Sequence, residues 1–132
     1  SILRADLSGK LTVLKALLCN VRKTTNDKVV VVSNFTKTLD VIELLCKEQN
    51  WKFFRLDGKT EQTKRQSYVD AFNRETSSEF LFLLSSKAGG TGLNLIGANR
   101  LVLVDSDWNP ATDRQAMARV WRDGQKKRVF LY

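Results

Sequence analysis

Four consecutive valines at positions 29 to 32 constrain the fold of this chain more than any other feature. Polar turn-forming residues occupy positions 24 to 27, and Ser33 follows the last valine. β-Branched residues favour extended backbone, and a strand that is apolar on both faces needs cover on both. Parallel sheets with helices packed above and below provide that cover. The run therefore predicts a buried central strand of an α/β domain.

Helical and extended patterns alternate along the rest of the chain. Ser8 is predicted to cap a first helix whose apolar residues repeat at helical spacing, namely Leu11, Leu14, Leu18 and Val21. Further helices are predicted at about 38–49 and around Tyr68, Val69 and Phe72, and further strands at 52–57, 79–85, 100–105 and 128–132. This alternation indicates an α/β fold, with a doubly wound parallel sheet and helices on both faces. A single domain over residues 1–132 is expected, as a fragment of a longer chain because the sequence stops directly after a strand.

The charge of the chain points to polyanionic partners. Its formal net charge is +8 and its pI is near 9.8. Nucleic acid is favoured over a membrane surface, because no basic amphipathic helix dominates and no apolar run is long enough to span a bilayer. A basic protein whose charge only serves solubility is the alternative.

The chain contains no histidine and two cysteines, Cys19 and Cys46, both in predicted helices. Mechanisms in which imidazole acts as general base are therefore excluded. The cysteines form no Cys-x-x-Cys pair, so no metal site is predicted. Two such thiols without a signal peptide indicate a reducing compartment inside the cell.

Polar residues follow the predicted strands, and ligands of open parallel sheets bind beyond the carboxyl ends of the strands. We expect these residues to lie along one edge of the sheet. Trp108, in the last of these segments, is either a core aromatic or a residue that stacks on a base or sugar. The segments are SNFT (33–36), DG (57–58), SSKAGGTG (85–92) and DSDWN (105–109).

The glycine-rich segment predicts a phosphate cradle, because glycines let backbone N–H groups approach a phosphate closely. Ser85, Ser86 and Lys87 beside it favour binding over a merely flexible connection. The segment matches neither familiar template. Leu95 stands where a dinucleotide fingerprint needs its third glycine, and the Gly-Lys-Ser/Thr ending of a P-loop is absent.

The segment QAMARVWRDGQ, residues 115–125, places Gln115, Arg119 and Arg122 on one stripe of a predicted helix. Two neighbouring guanidinium groups keep their charge and offer planar sets of donors suited to a polyphosphate. An ordinary solvated helix face with two surface arginines is the alternative.

Four segments together resemble the second RecA-like lobe of superfamily two helicases, specifically the double-stranded-DNA translocases of the Swi/Snf type. VVVVSNFTKTLD is similar to motif IV, FRLDGKT to motif IVa, LLSSKAGGTGLNLIGANRLVLVDSDWNP to motif V and its extension, and QAMARVWRDGQ to motif VI. The four stand in family order across nearly the whole chain. They are most similar to the recombination-and-repair branch, the Rad-fifty-four type. Thr91 and Ser106 depart from the residues common in that branch and indicate a divergent paralogue.

The resemblance implies a site for ATP with Mg that is shared between two lobes, with the phosphate-binding loop and the catalytic carboxylates on the first lobe. This chain would supply Arg119 and Arg122 as arginine fingers. Gly92, Asn94 and Gln115 would line the same cleft. The full-length protein would then be a DNA-dependent ATPase, a hydrolase, and the lobe alone would be inactive.

The resemblance also implies that the protein translocates on double-stranded DNA in the nucleus. Its partners would be the first RecA-like lobe of the same protein and a strand-exchange recombinase. Trp108 matches the tryptophan by which such motors touch the opposite strand. Backbone contacts of this kind predict unspecific, strongly salt-dependent binding. The residues assigned to them are Ser33, Asn34, Thr36, Asp57, Gly58, Ser85, Ser86 and Lys87.

Three alternatives belong to other classes or branches. A dinucleotide-dependent enzyme needs a G-x-G-x-x-G turn after the first strand, where SNFT stands instead, and is disfavoured. A non-catalytic DNA-binding module, whose arginines only hold backbone phosphate, stays open. A chromatin-remodelling motor of the same family also stays open.

Overall fold

The structure is a computed structural model that describes residues 2–85, 94–104 and 130–131. Helices and strands alternate within it, as the sequence predicts. In chain order the elements are α1 (Ile2–Thr24), β1 (Val29–Ser33), α2 (Thr36–Glu48), β2 (Phe53–Leu56), α3 (Gln62–Asn73), β3 (Leu81–Ser85), β4 (Arg100–Leu103) and β5 (Phe130–Leu131).

The strands that the structure describes form one parallel sheet in the order β2-β3-β1-β4-β5. β1 lies in the middle, where Val31 pairs with Leu83 on one side and with Val102 on the other. Parallel strands need crossover connections, and α2 and α3 provide them between the first three strands of the chain. The predicted α/β fold, a doubly wound parallel sheet with helices on both faces, is confirmed.

The valines of β1 divide between two apolar cores, one on each face of the sheet. Val29 and Val31 pack with α1 and α2, whereas Val30 and Val32 pack with α3. None of the four is more than 4% exposed. Each buried valine side chain contributes about 1.5–3 kcal/mol, so both cores need apolar residues from this strand. The unbroken run follows from this double burial.

The start of the first helix differs from the sequence prediction, which places the cap at Ser8. α1 begins at Ile2, and Ser8 lies inside it, where its carbonyl oxygen accepts a hydrogen bond from Thr12 Oγ1 at 2.9 Å. The prediction is wrong at this position. A serine inside a helix costs only a few tenths of a kcal/mol relative to good helix formers, so Ser8 does not stop the helix. The leucine, alanine and arginine before it favour helix.

Within the described residues, the other predicted boundaries agree with the observed ones to within two residues. β3 begins at Leu81 rather than at residue 79, because Phe80 donates its N–H to the Lys52 carbonyl before regular pairing starts. Pairing with neighbours therefore sets the strand limits more closely than β-propensity does. The last strand appears as β5, inside the predicted range 128–132. The predicted helix at 115–125 lies outside the described residues.

α1 is amphipathic rather than uniformly apolar. It buries Leu14, Leu18 and Val21 against the sheet, whereas Thr12 and Lys15 are exposed. Within the described ranges, no helix has both the length and the apolar character needed to cross a membrane.

Cys46 lies on α2 and is fully buried in the core that α1 and α2 form with the sheet. Burial raises the pKa of its thiol to about 12, and the nearby Glu43 carboxylate adds to the rise. The thiol therefore stays protonated at neutral pH and serves as an apolar packing group.

Candidate functional site

Residues from three of the predicted polar segments meet at the carboxyl edge of the sheet. Ser33 and Ser85 are register partners at the ends of β1 and β3, and Asp57 directly follows Leu56, the partner of Leu84. Because β3 lies between β1 and β2, the three polar residues are neighbours along the edge. Each is at most 8% exposed. We use the term carboxyl edge for these three residues and for the turns that follow Ser33 and Asp57.

The turn after β1 is held by the side chain of Ser33. Its Oγ accepts the Phe35 N–H at 3.1 Å and donates to the Phe35 carbonyl oxygen at 3.3 Å. Asn34 is half-buried, whereas Phe35 and Thr36 are exposed. Phe35 is the N-cap of α2 and, having no side-chain acceptor, forms no side-chain cap. The positive end of the α2 dipole therefore lies at the carboxyl edge, where it favours an anion.

Asp57 organises the loop after β2. Its Oδ1 accepts the Lys59 N–H at 2.9 Å, and its Oδ2 accepts Arg55 Nε–H at 3.0 Å. Its own N–H donates to Thr60 Oγ1 at 3.0 Å. Burial alone would raise the pKa of Asp57, but the Lys59 N–H and the Arg55 guanidinium outweigh it and lower the pKa. The carboxylate is therefore ionised and shapes the loop, which leaves Gly58 exposed at the surface.

Arg55 connects this loop to α2. Its Nη1 lies 2.6 Å from Asp40 Oδ1 and 3.7 Å from Glu43 Oε2, while its Nε binds Asp57. Burial acts to lower the pKa of Arg55, but the hydrogen bonds with Asp40 and Asp57 outweigh it and raise the pKa. The guanidinium therefore stays protonated. Sequence reasoning missed this residue. The available signal was a lone charged residue inside the otherwise apolar strand FFRL.

An open groove of about 280 Å³ lies beside the same loop, where β2 ends and α3 begins. Exposed Lys59 and Lys64 line it, and half-buried Thr60 and Tyr68 line it as well. The groove therefore presents two ammonium groups, two hydroxyls and the carboxylate of exposed Glu61 next to the carboxyl edge. Sequence reasoning assigned neither lysine, although both stand within seven positions of the predicted residue Asp57.

Asn94 is not brought to the carboxyl edge. Its carbonyl oxygen accepts a hydrogen bond of 2.7 Å from Asn73 Nδ2, at the end of α3. α3 runs back from the carboxyl edge, and Lys28, directly before β1, donates to the carbonyl of Phe72 near the end of α3. Asn94 therefore lies toward the opposite edge, on the face of the sheet that α3 covers.

The remaining predicted site residues lie outside the described residues. They are Ser86, Lys87, Gly92, Trp108, Gln115, Arg119 and Arg122.

A five-stranded parallel sheet with helices on both faces and polar turns at its carboxyl edge defines a RecA-like α/β lobe. The C-terminal part of the Fun30 ATPase domain superposes on it with a TM-score of 0.87 and 41% sequence identity. The match covers 93% of this chain and 39% of that one. Residues 9–124 match the helicase conserved C-terminal domain, and the chain belongs to that family.

Two relatives identify the branch. Protein CHROMATIN REMODELING 25 of Arabidopsis thaliana is 63% identical over 127 residues, which are 96% of this chain and 14% of that protein. The DNA repair and recombination protein RAD54-like of Homo sapiens is 57% identical over 130 residues, 98% of this chain and 17% of that protein. This chain therefore spans less than a fifth of either relative. The resemblance to the recombination-and-repair branch of the Swi/Snf type is confirmed.

Proposed function

We propose that this chain is the C-terminal motor lobe of an ATP-dependent double-stranded-DNA translocase that acts in homologous recombination and DNA repair. The observation that carries the proposal is the alignment of Ser33, Asp57 and Ser85 along one edge, in a chain that belongs to the helicase C-terminal family. Similarity to a human DNA repair and recombination protein supports the repair role. Activity requires both lobes, and we expect this lobe alone to be inactive.

The carboxyl edge is the proposed grip on DNA. The exposed Thr36 hydroxyl and the N-terminus of α2 offer donors, and exposed Gly58 lets a phosphate approach the backbone. Ser33 and Asp57 hold these turns in shape through the hydrogen bonds described above. Contacts to phosphate position a protein without reading sequence. The proposed contact residues are Ser33, Asn34, Thr36, Asp57, Gly58, Ser85, Ser86 and Lys87, with Trp108 on the opposite strand.

ATP with Mg is the proposed nucleotide substrate, and the first RecA-like lobe would hold most of it. Asp57, the carboxylate at the carboxyl edge, is already bound by Arg55 and the Lys59 N–H, so it is not free to ligate a metal ion. ATP hydrolysis supplies the energy for movement. Arg119 and Arg122 would place fixed positive charge against the γ-phosphate. The residues that would line the cleft are Gly92, Asn94 and Gln115.

Closure of the cleft on ATP would move the grip of this lobe relative to that of the first lobe, which produces steps along the duplex. The proposed partners are double-stranded DNA, the first RecA-like lobe and a strand-exchange recombinase, and the proposed location is the nucleus. The net charge of +8 supports a polyanionic partner.

The test is ATP hydrolysis by the full-length protein with and without duplex DNA. Arg119→Ala and Arg122→Ala should each lower the duplex-stimulated rate by about a thousandfold, while duplex affinity stays within about twofold. Lys126→Ala removes a positive charge four positions after Arg122 in the sequence and is the matched control, with an expected rate near that of wild type. Normal hydrolysis in both arginine variants would refute their role. If duplex DNA does not change the rate of ATP hydrolysis by the wild type, DNA binding is not coupled to hydrolysis. That outcome would favour the alternative in which this lobe is a non-catalytic DNA-binding module.

A chromatin-remodelling motor of the same family is the second candidate. It is favoured by the 63% identity to Protein CHROMATIN REMODELING 25. The two functions differ in their preferred substrate. Stimulation of hydrolysis by nucleosomes well beyond that by naked duplex of equal length would favour remodelling, and equal stimulation would favour translocation on free DNA.

A further inference from the structure

Phe35 lies on the protein surface at the carboxyl edge of the sheet. It is 54% exposed, whereas Phe72 and Phe82 are fully buried. It belongs to neither of the two apolar cores that the described residues form. Val13 and Leu44 are exposed as well, but they lie within helices, where single apolar residues on the surface are common. Phe35 instead lies in a polar turn, and packing does not account for a phenylalanine there.

The backbone position of Phe35 suits other residue types better. Phe35 is the N-cap of α2, and its carbonyl oxygen accepts the Leu39 N–H at 3.2 Å. Serine, threonine, asparagine or aspartate at an N-cap would accept a further helix N–H with its side chain, which a phenyl ring cannot do. Sequences depart from such local preferences mainly where function requires another residue. The ring is therefore suited to contact with a partner.

The backbone that carries this ring is fixed before any partner binds. Ser33 Oγ binds both the N–H and the carbonyl oxygen of Phe35, and Ser33 is itself buried at the end of the central strand. Half-buried Asn34 precedes the ring in the chain, and exposed Thr36 follows it. The turn therefore presents an apolar ring between two polar residues, and little backbone freedom is lost when a partner binds.

The backbone of DNA has a matching alternation, because a deoxyribose with its C–H groups separates neighbouring phosphates. In a paired duplex each base face is covered by the next base pair, so the sugar is the apolar surface that a ring can meet without unstacking bases. We propose that Phe35 is an apolar contact of the DNA grip, whose ring packs against a deoxyribose of the duplex. The inference rests on the proposed function, in which Asn34 and Thr36 contact the DNA backbone.

The test measures duplex binding by the full-length protein with fluorescence anisotropy over a range of salt concentrations. Phe35→Ser removes the ring but supplies a capping hydroxyl, so the Tm should not fall. Its Kd for the duplex should rise about fivefold. The slope of log Kd against log salt should stay the same, because an apolar contact releases no counterions. Phe35→Leu keeps an apolar side chain and should lose about twofold at most.

Two controls separate the ring from its surroundings. Leu44→Ala removes another exposed apolar side chain, nine positions further along the chain in α2, and should keep the duplex Kd within about twofold of wild type. Inorganic polyphosphate carries phosphate charges but no sugar. Phe35→Ser should therefore bind polyphosphate within about twofold of wild type.

An unchanged duplex Kd in Phe35→Ser would overturn the inference, and a raised KM for ATP beside it would place the ring against the first lobe. An equal loss of affinity for polyphosphate, or a lower Tm, would also overturn it, because the ring would then only shape the turn. Absence of duplex-stimulated hydrolysis in the wild type would end the proposed motor alone. In that case weaker duplex binding by Phe35→Ser, with an unchanged salt slope, still supports the sugar contact.

Discussion

Arg55 Nε donates a hydrogen bond of 3.0 Å to Asp57 Oδ2 at the end of β2. The same guanidinium lies 2.6 Å from Asp40 Oδ1 on α2. One side chain therefore joins the loop after β2 to the helix after β1, and both segments belong to the proposed DNA grip. Arginine suits this place because its planar set of donors can face two carboxylates at once, whereas a lysine ammonium is a single point of charge.

Replacing Arg55 should destabilise the fold. Arg55→Met leaves the carboxylate of Asp57 largely buried without its counterion, and we expect a loss of about 2 kcal/mol in the free energy of unfolding. Arg55→Lys should lower the free energy of unfolding by less, because lysine keeps the positive charge but makes fewer directed hydrogen bonds than arginine does. Asp40→Asn is the control. Its side chain is 61% exposed, so its ion pair is screened and its loss should cost less than about 1 kcal/mol. Urea unfolding followed by tryptophan fluorescence measures the differences, and equal losses in Arg55→Met and Asp40→Asn would contradict the assignment.

Asp57 should make the fold less stable in acid. Burial alone would raise its pKa, but the Lys59 N–H and the Arg55 guanidinium lower it below the ordinary 3.8. The folded state then binds the proton less tightly than the unfolded chain does. The ionised group therefore stabilises the fold above about pH 4, and this contribution is lost as the pH falls through the lowered pKa.

The pH dependence can be assigned with two variants. Glu79 acts in the same direction as Asp57, since the Ser77 hydroxyl lowers its pKa against the opposing effect of burial. Asp57→Asn and Glu79→Gln should each flatten part of the decline in unfolding free energy between about pH 5 and pH 2.5. A decline as steep in Asp57→Asn as in the wild type would show that Asp57 titrates alike in both states.

Two glycines should respond in opposite ways to the same substitution. Gly97→Ala places a Cβ against the backbone of α3 and should destabilise the fold by roughly 1–3 kcal/mol. Gly9 lies in α1, and a Cβ there would meet nothing within 4 Å. Gly9→Ala should therefore stabilise the fold by roughly 0.5–1 kcal/mol through the higher helix propensity of alanine. Thermal unfolding of the two variants beside the wild type tests the contrast, which fails if both shift Tm the same way.

The lysines of the groove should add to duplex affinity if the proposed function holds. Lys59→Ala and Lys64→Ala should each weaken binding uniformly across DNA sequences and reduce the slope of log Kd against log salt by about one. Lys47→Ala is the control, because Lys47 is also exposed but lies in the last turn of α2, away from the carboxyl edge. Fluorescence anisotropy over a range of salt concentrations gives the slopes. A control variant that loses as much affinity as the groove variants would place the DNA elsewhere.

Much of the fold follows from local patterns in the sequence. The valine run predicts the central strand with its observed bounds, Val29–Ser33, because an apolar run on a strand requires burial on both faces. The meeting of Ser33, Asp57 and Ser85 at one edge follows from parallel strands ending on the same side. The cap predicted at Ser8 fails because a capping residue signals a possible helix start, not an obligatory one.

The sequence by itself determined the order of the elements, the parallel sheet and the edge at which its polar turns collect, because burial and turn formation depend on neighbouring residues. Only the tertiary structure decided that Arg55 bridges α2 to the Asp57 loop and that Asn73 holds the turn at Gly97. These contacts join residues 15 and 24 positions apart in the chain. Such contacts produce no periodic pattern in the sequence, because the two residues come together only after the helices and strands have packed.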